Sequence, residues 1–103
     1  MSDKVTHITS QANHDTVIAD NKGKLTVIDF HASWCGPCHM IAPVYEKLAA
    51  ENPDVAFTKV DVDAKYGIRA MPTFKFIKNG EEVDELRGAN REGLEAAVAK
   101  NKA

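Results

Sequence analysis

Cys35 and Cys38 are the only two cysteines of this 103-residue chain, and Gly36 and Pro37 alone separate them. Thiolates attack disulfides, ligate metals and pair with one another, so this spacing admits disulfide exchange, zinc binding or a structural staple. A bridge across two residues closes almost no loop and removes little entropy from the unfolded chain, which makes a staple a poor account of the pair. Zinc could draw on Cys35, Cys38, His39 and His31, but a structural zinc site takes four ligands and normally a second ligand pair, which this chain lacks. Redox exchange fits a lone C-x-x-C best in a reducing compartment.

The flanking elements sharpen that chemistry. Leu25 to Phe30, LTVIDF, is almost continuously apolar and reads as a central buried strand. The segment from Cys35 to about Glu51 carries Ile41, Val44, Tyr45 and Leu48 on one helical face, with Pro43 inside it as an expected kink. Cys35 therefore falls where a strand gives way to a helix. Unpaired N–H groups and the positive end of the helix dipole favour its thiolate, and Pro37 suits the first turn because its missing N–H costs nothing there. Cys38, one turn further in, is within bonding reach and is expected to be the more buried. Asp29 lies within the apolar run. If it faces the interior, desolvation raises its pKa and makes it a candidate proton acceptor; if it faces an exposed strand edge, it has no such role.

The remaining sequence alternates strand-like and helix-like segments with short connections, which points to an α/β layer fold in one domain, residues 1–103. Val5 to Ile8 forms a first short strand, and Ser10 caps a helix to about Asp20 that ends at Lys22-Gly23-Lys24. Val55 to Val60 is a further strand. Thr73 to Ile77 pairs with Glu82 to Leu86 across Asn79-Gly80, the favoured two-residue hairpin turn. Asn90 caps a last helix whose buried stripe includes Leu94, Ala97 and Val98. Thirteen Lys and Arg against fifteen Asp and Glu are too balanced for nucleic acid or anionic membrane to be the main partner. The opening MSDKVTHITSQANHD has no apolar core of the signal-peptide kind, and no run approaches a membrane span, so a cytoplasmic protein is expected.

The chain resembles the thioredoxin family, and its cytosolic eukaryotic members most. WCGPC matches that family's active-site signature, and VIDFHASWCGPCHMIAP, FTKVDVD, YGIRAMPTF, NGEEV and GAN follow in the family's order over nearly the whole chain. The resemblance implies a thioredoxin fold, α/β, with a central mixed sheet of about five strands flanked by helices. It also implies a protein-disulfide reductase in which Cys35 attacks the client disulfide and Cys38 releases the reduced client, leaving a Cys35-Cys38 disulfide. Asp29 matches the family's buried aspartate, proposed to take the proton of the resolving cysteine, and Lys59 matches the lysine near it. Met71-Pro72-Thr73 matches the loop with a cis proline facing the active site, where the backbone of residue 71 would pair with an extended client. Trp34, Gly36, Pro37, Ile68, Ala70, Met71, Pro72, Gly88 and Ala89 would form the contact surface. No cofactor or metal is expected on this chain, since the NADPH and FAD of the cycle belong to the partner, thioredoxin reductase. The other partners implied are disulfide-containing client proteins.

The chain departs from the family's pattern in two places. His31 stands where an aromatic residue, commonly Trp, is usual, and His39 where Lys or Arg is frequent; either imidazole could tune the thiols or simply pack. Only seven residues, Ala64 to Ala70, bridge Asp63 and Met71, so the helix between strands 3 and 4 is shortened or missing. By resemblance the two flanking strands run antiparallel with one strand between them, about 10 Å apart, a gap seven residues can span. The expected consequence is lost cover on one sheet face. A natural short variant, a segment absent from the chain, and a short hinge that exchanges C-terminal halves between two copies are three accounts of it. A monomer is expected, with a domain-swapped dimer as the alternative.

Overall fold

The computed structural model describes residues 5–32, 34–61 and 71–102. Along the chain these form β1 (Val5–Ile8), α1 (Gln11–Asp20), β2 (Leu25–His31), α2 (Gly36–Glu51), β3 (Ala56–Asp61), β4 (Thr73–Lys78), β5 (Glu81–Arg87) and α3 (Arg91–Lys102). The caps lie where the sequence puts them. The Asn13 N–H donates to Ser10 Oγ at 3.0 Å, and the Gly93 N–H donates to Asn90 Oδ1 at 2.9 Å, so each helix start has one orphan donor satisfied by a side chain. Asn79 and Gly80 both adopt positive φ, 54° and 80°, which matches the right-handed twist of β4 and β5.

The strands form one sheet in the order β1-β3-β2-β4-β5. The β1/β3 and β3/β2 pairs are parallel, whereas β2/β4 and β4/β5 are antiparallel. Strand β2 is thus central and covered on both faces, and Leu25 to Phe30 are all buried. Strands β3 and β4 run in opposite directions with β2 between them, the arrangement expected from the resemblance. The connection between them, including the shortened segment Ala64 to Ala70, lies outside the described residues.

Side-chain alternation divides the core in two. On one face Val5, Leu25, Val27, Phe57, Phe74 and Phe76 pack against Ile41, Tyr45, Leu48 and Ala49 of α2 and Leu94 and Val98 of α3. On the other, Ile8, Ile28, Phe30 and Val60 pack with Val17 and Ile18 of α1, Met71 and Ile77. Tyr45 also fastens α2 to the sheet. Its hydroxyl lies 2.6 Å from the Thr58 carbonyl and 3.1 Å from the Val27 carbonyl, and it accepts the Thr58 N–H at 3.2 Å. A β-bulge interrupts the β4/β5 ladder: Phe76 faces Asp84 and Ile77 faces Glu82, which leaves Val83 as the extra residue on the edge strand β5.

Candidate active site

The reactive cysteines stand at the N-terminus of α2, above the end of the central strand. Cys35 is the N-cap rather than the first helical residue, with extended backbone (φ −94°, ψ 108°) and Pro37 in the first turn. Its Sγ accepts the Cys38 N–H at 3.2 Å, so the sulfur fills the place that a Ser or Asp oxygen takes at other helix starts. The Cys35 N–H donates to the Ala32 carbonyl at 3.1 Å, which folds the chain back as it leaves β2. The two cysteines are joined in a disulfide with Cα atoms 5.3 Å apart. Each is 5% exposed, which corrects the expectation that Cys38 is the more buried. Burial is equal because both sulfurs share one small apolar cluster with Ala32, against which Met71 packs.

On the central strand, Asp29 is 2% exposed, with none of the exposure of a sheet edge. Its Oδ1 has no hydrogen-bond partner among the described residues. Burial raises its pKa to about 7, only partly opposed by the positive charge of Lys59. Lys59 is the residue directly beside Asp29 across the β2/β3 ladder and is half-buried. His31 lies two residues further along the same face, opposite the exposed Asp61. Burial holds its pKa below the usual imidazole value, helped by the charge of Lys59 and opposed by Asp61.

Around the cysteines, Trp34, Gly36 and Pro37 are exposed, Trp34 by 73%. The Met71-Pro72 peptide is cis. The Pro72 carbonyl accepts the Gly88 N–H at 2.8 Å, and this bond places the loop before β4 beside the loop after β5, where Ala89 is exposed. Gly88 has φ +92°, a conformation that favours glycine. Ile68 and Ala70 lie outside the described residues. One surface residue was missed from the sequence: Met40 is 78% exposed and borders, with Ile41, Val44, Ala89 and Arg91, a shallow cavity of about 280 Å³. Its signal was present, because Met40 falls off the helical stripe formed by Ile41, Val44, Tyr45 and Leu48. Among the described residues no group of three or more His, Cys, Asp or Glu is arranged to hold a metal ion. No helix there is long and apolar enough to cross a membrane.

A dithiol at a helix N-terminus on a five-stranded mixed sheet, with a cis proline beside it, defines a thioredoxin-fold disulfide oxidoreductase. The thioredoxin family model matches residues 5–100. The chain is 49% identical over 105 residues to a thioredoxin of the sponge Geodia cydonium, covering 95% of this chain and 99% of that one. It superposes with a TM-score of 0.90 on the crystal structure of Fasciola hepatica thioredoxin, at 48% identity and with 94% and 99% of the two chains covered. A chain from a structural study of thiol resolution in yeast mitochondrial 1-Cys peroxiredoxin via glutathione and thioredoxin systems matches at 36% identity, with a TM-score of 0.84 and 93% and 94% coverage. The chain belongs to the thioredoxin family. It is a protein-disulfide oxidoreductase whose redox-active group is its own cysteine pair and which uses no bound cofactor.

Proposed function

We propose that this protein reduces disulfides of client proteins in the cytoplasm and is itself recycled by an NADPH-dependent thioredoxin reductase. The observation that carries the reading is the capping geometry of Cys35, whose sulfur lies at the positive end of α2 with the Cys38 N–H pointing at it. In the reduced protein that geometry favours thiolate at Cys35. The thiolate attacks one sulfur of the client disulfide, forms a mixed disulfide and expels the other client sulfur as thiolate. Asp29 then takes the proton of Cys38 while Lys59 offsets the resulting carboxylate charge. The Cys38 thiolate attacks Cys35 Sγ, the bond to the client breaks, and the second client thiolate leaves. Two electrons and, after the client thiolates are protonated, two protons have passed to the client, and Cys35-Cys38 is oxidised. Trp34, Gly36, Pro37, Met71, Pro72, Gly88 and Ala89 form the contact face, joined by Ile68 and Ala70, and residues 1–103 act as one monomeric domain.

The test is NADPH consumption with thioredoxin reductase and insulin, beside Cys35→Ser and Cys38→Ser. Turnover is expected to vanish in both variants, and only Cys38→Ser is expected to hold a client as a mixed disulfide visible on a non-reducing gel. An intact fold with two free thiols and no turnover would replace this reading with that of a binding module.

A further inference from the structure

All three parallel strands change character on the same face at their C-terminal ends. On β2 the order is Val27, Asp29, His31; on β3 it is Phe57, Lys59, Asp61; on β1 it is Val5, His7. The apolar members are buried, and exposure rises outward through half-buried Lys59 and His31 to exposed His7 and Asp61. Asp29 sits at the inner end of this ladder, facing Phe74 on β4 and flanked by Val27, with buried Phe57 and Tyr45 on the same side of the sheet. A carboxyl enclosed in this way has little direct contact with bulk water, yet the proposed cycle loads and unloads it at every turnover. Among the described residues the inner neighbours are apolar apart from the Tyr45 hydroxyl, which is engaged by the Val27 and Thr58 backbone, and the outward direction holds Lys59 and His31.

Lys59 stands beside Asp29 across the ladder and His31 two residues along the same face, and their chemistry differs. The Lys59 ammonium has three donors and no lone pair, so it can hold the carboxylate charge but cannot accept a proton from the acid. A neutral imidazole has one free lone pair and one N–H, and passes a proton by accepting on one nitrogen and releasing from the other. Cα atoms two residues apart on a strand are about 6.6 Å from each other, a span that a water between the two side chains can bridge.

Resting on the reductase reading above, we infer that His31 is a positioning residue for the proton, carrying it between Asp29 and solvent after Cys38 has been deprotonated. The proton taken from Cys38 by Asp29 passes to one ring nitrogen of His31, the other ring N–H goes to water, and the carboxylate is restored; no electron moves and no other reagent is consumed. The groups facing His31 are Lys59 and Asp61 from β3, His7 from β1 and His39 from α2, and β4 contributes Phe74 beside Asp29 and no charge. Burial and Lys59 keep the imidazole neutral at pH 7, the form with the free lone pair.

The experiment measures single-turnover release of client from the mixed disulfide at pH 7 in dilute buffer, with His31→Ala and His31→Phe. Both variants are expected to slow release roughly tenfold. Added imidazole is expected to restore His31→Ala, where the deleted ring leaves room for it, and to leave His31→Phe and the parent protein unchanged. His31→Phe keeps an aromatic ring in the site, so a packing role alone predicts a normal rate in that variant. A normal rate in His31→Phe, or a slow His31→Ala that imidazole does not restore, overturns the inference. Failure of the reductase reading is separate, since the parent protein would then neither consume NADPH nor form the trapped client complex.

Discussion

At the scale of single residues, Asp29 links activity to stability. Its pKa rises from 3.8 to about 7 on folding, so between those values the native state holds a proton that the unfolded chain has lost. Stability from this group is therefore complete below pH 3.8, falls as pH rises, and has lost about 4 kcal/mol by the time pH passes 7. Asp29→Asn cannot take a proton from Cys38. The variant is expected to resolve mixed disulfides more slowly around pH 7 yet to withstand more urea at pH 8 than the parent, with the advantage shrinking towards pH 4. Equal urea midpoints for the two proteins at pH 8 would remove the buried-carboxylate argument. Trp34 shows the opposite balance. Being 73% exposed, it contributes little packing, so Trp34→Ala should change unfolding free energy by less than about 0.5 kcal/mol while raising the KM for insulin; unchanged KM would take Trp34 out of the contact face. Asp29 could be picked out of LTVIDF by its charge alone. Lys59 could be found only through family resemblance, because its place beside Asp29 depends on the β2/β3 register, a long-range property that local spacing does not encode.

At the scale of elements, local signals were strong wherever the backbone itself demanded a particular residue. Ser10 and Asn90 announced helix starts, Asn79-Gly80 announced its turn, and the unbroken run Leu25 to Phe30 announced the central strand. Signals were absent where tertiary packing decided the outcome. Nothing local marks Val83 as a bulge, and it is the extended backbone of Cys35 and the Cys38 N–H aimed at its sulfur that distinguish Cys35 as a cap from Cys35 as a first helical residue. Tyr45 belongs to this second group, since its spacing predicted a buried helical face but not the hydroxyl that binds two strands at once. Tyr45→Phe leaves the shape of the core intact and deprives the buried Thr58 N–H of its acceptor. A loss of about 1–3 kcal/mol in urea unfolding is expected, with turnover per folded molecule unchanged. A variant as stable as the parent would mean that the Thr58 N–H finds another partner.

At the scale of the whole molecule, the radius of gyration is 12.4 Å, close to the roughly 13 Å expected of a compact single domain of this length. The sheet holds β1 to β5 of one chain, with α2 and α3 seated on one face and α1 on the other. Light scattering from micromolar to millimolar protein is expected to give the monomer mass throughout; a dimer that persists on dilution would support exchange of C-terminal halves instead. The outer edge of the sheet bears on a hazard of open sheets. Extended segments of other chains are able to add themselves to any open strand. The ladder of strand β5 is broken at Val83, and its acids Glu82, Asp84 and Glu85 are paired with Lys75, Arg87 and Lys100, so a backbone in search of a partner meets a misaligned row of donors and acceptors among charged side chains. An edge of this kind is a poor template for an added strand, which disfavours pairing of other chains along it.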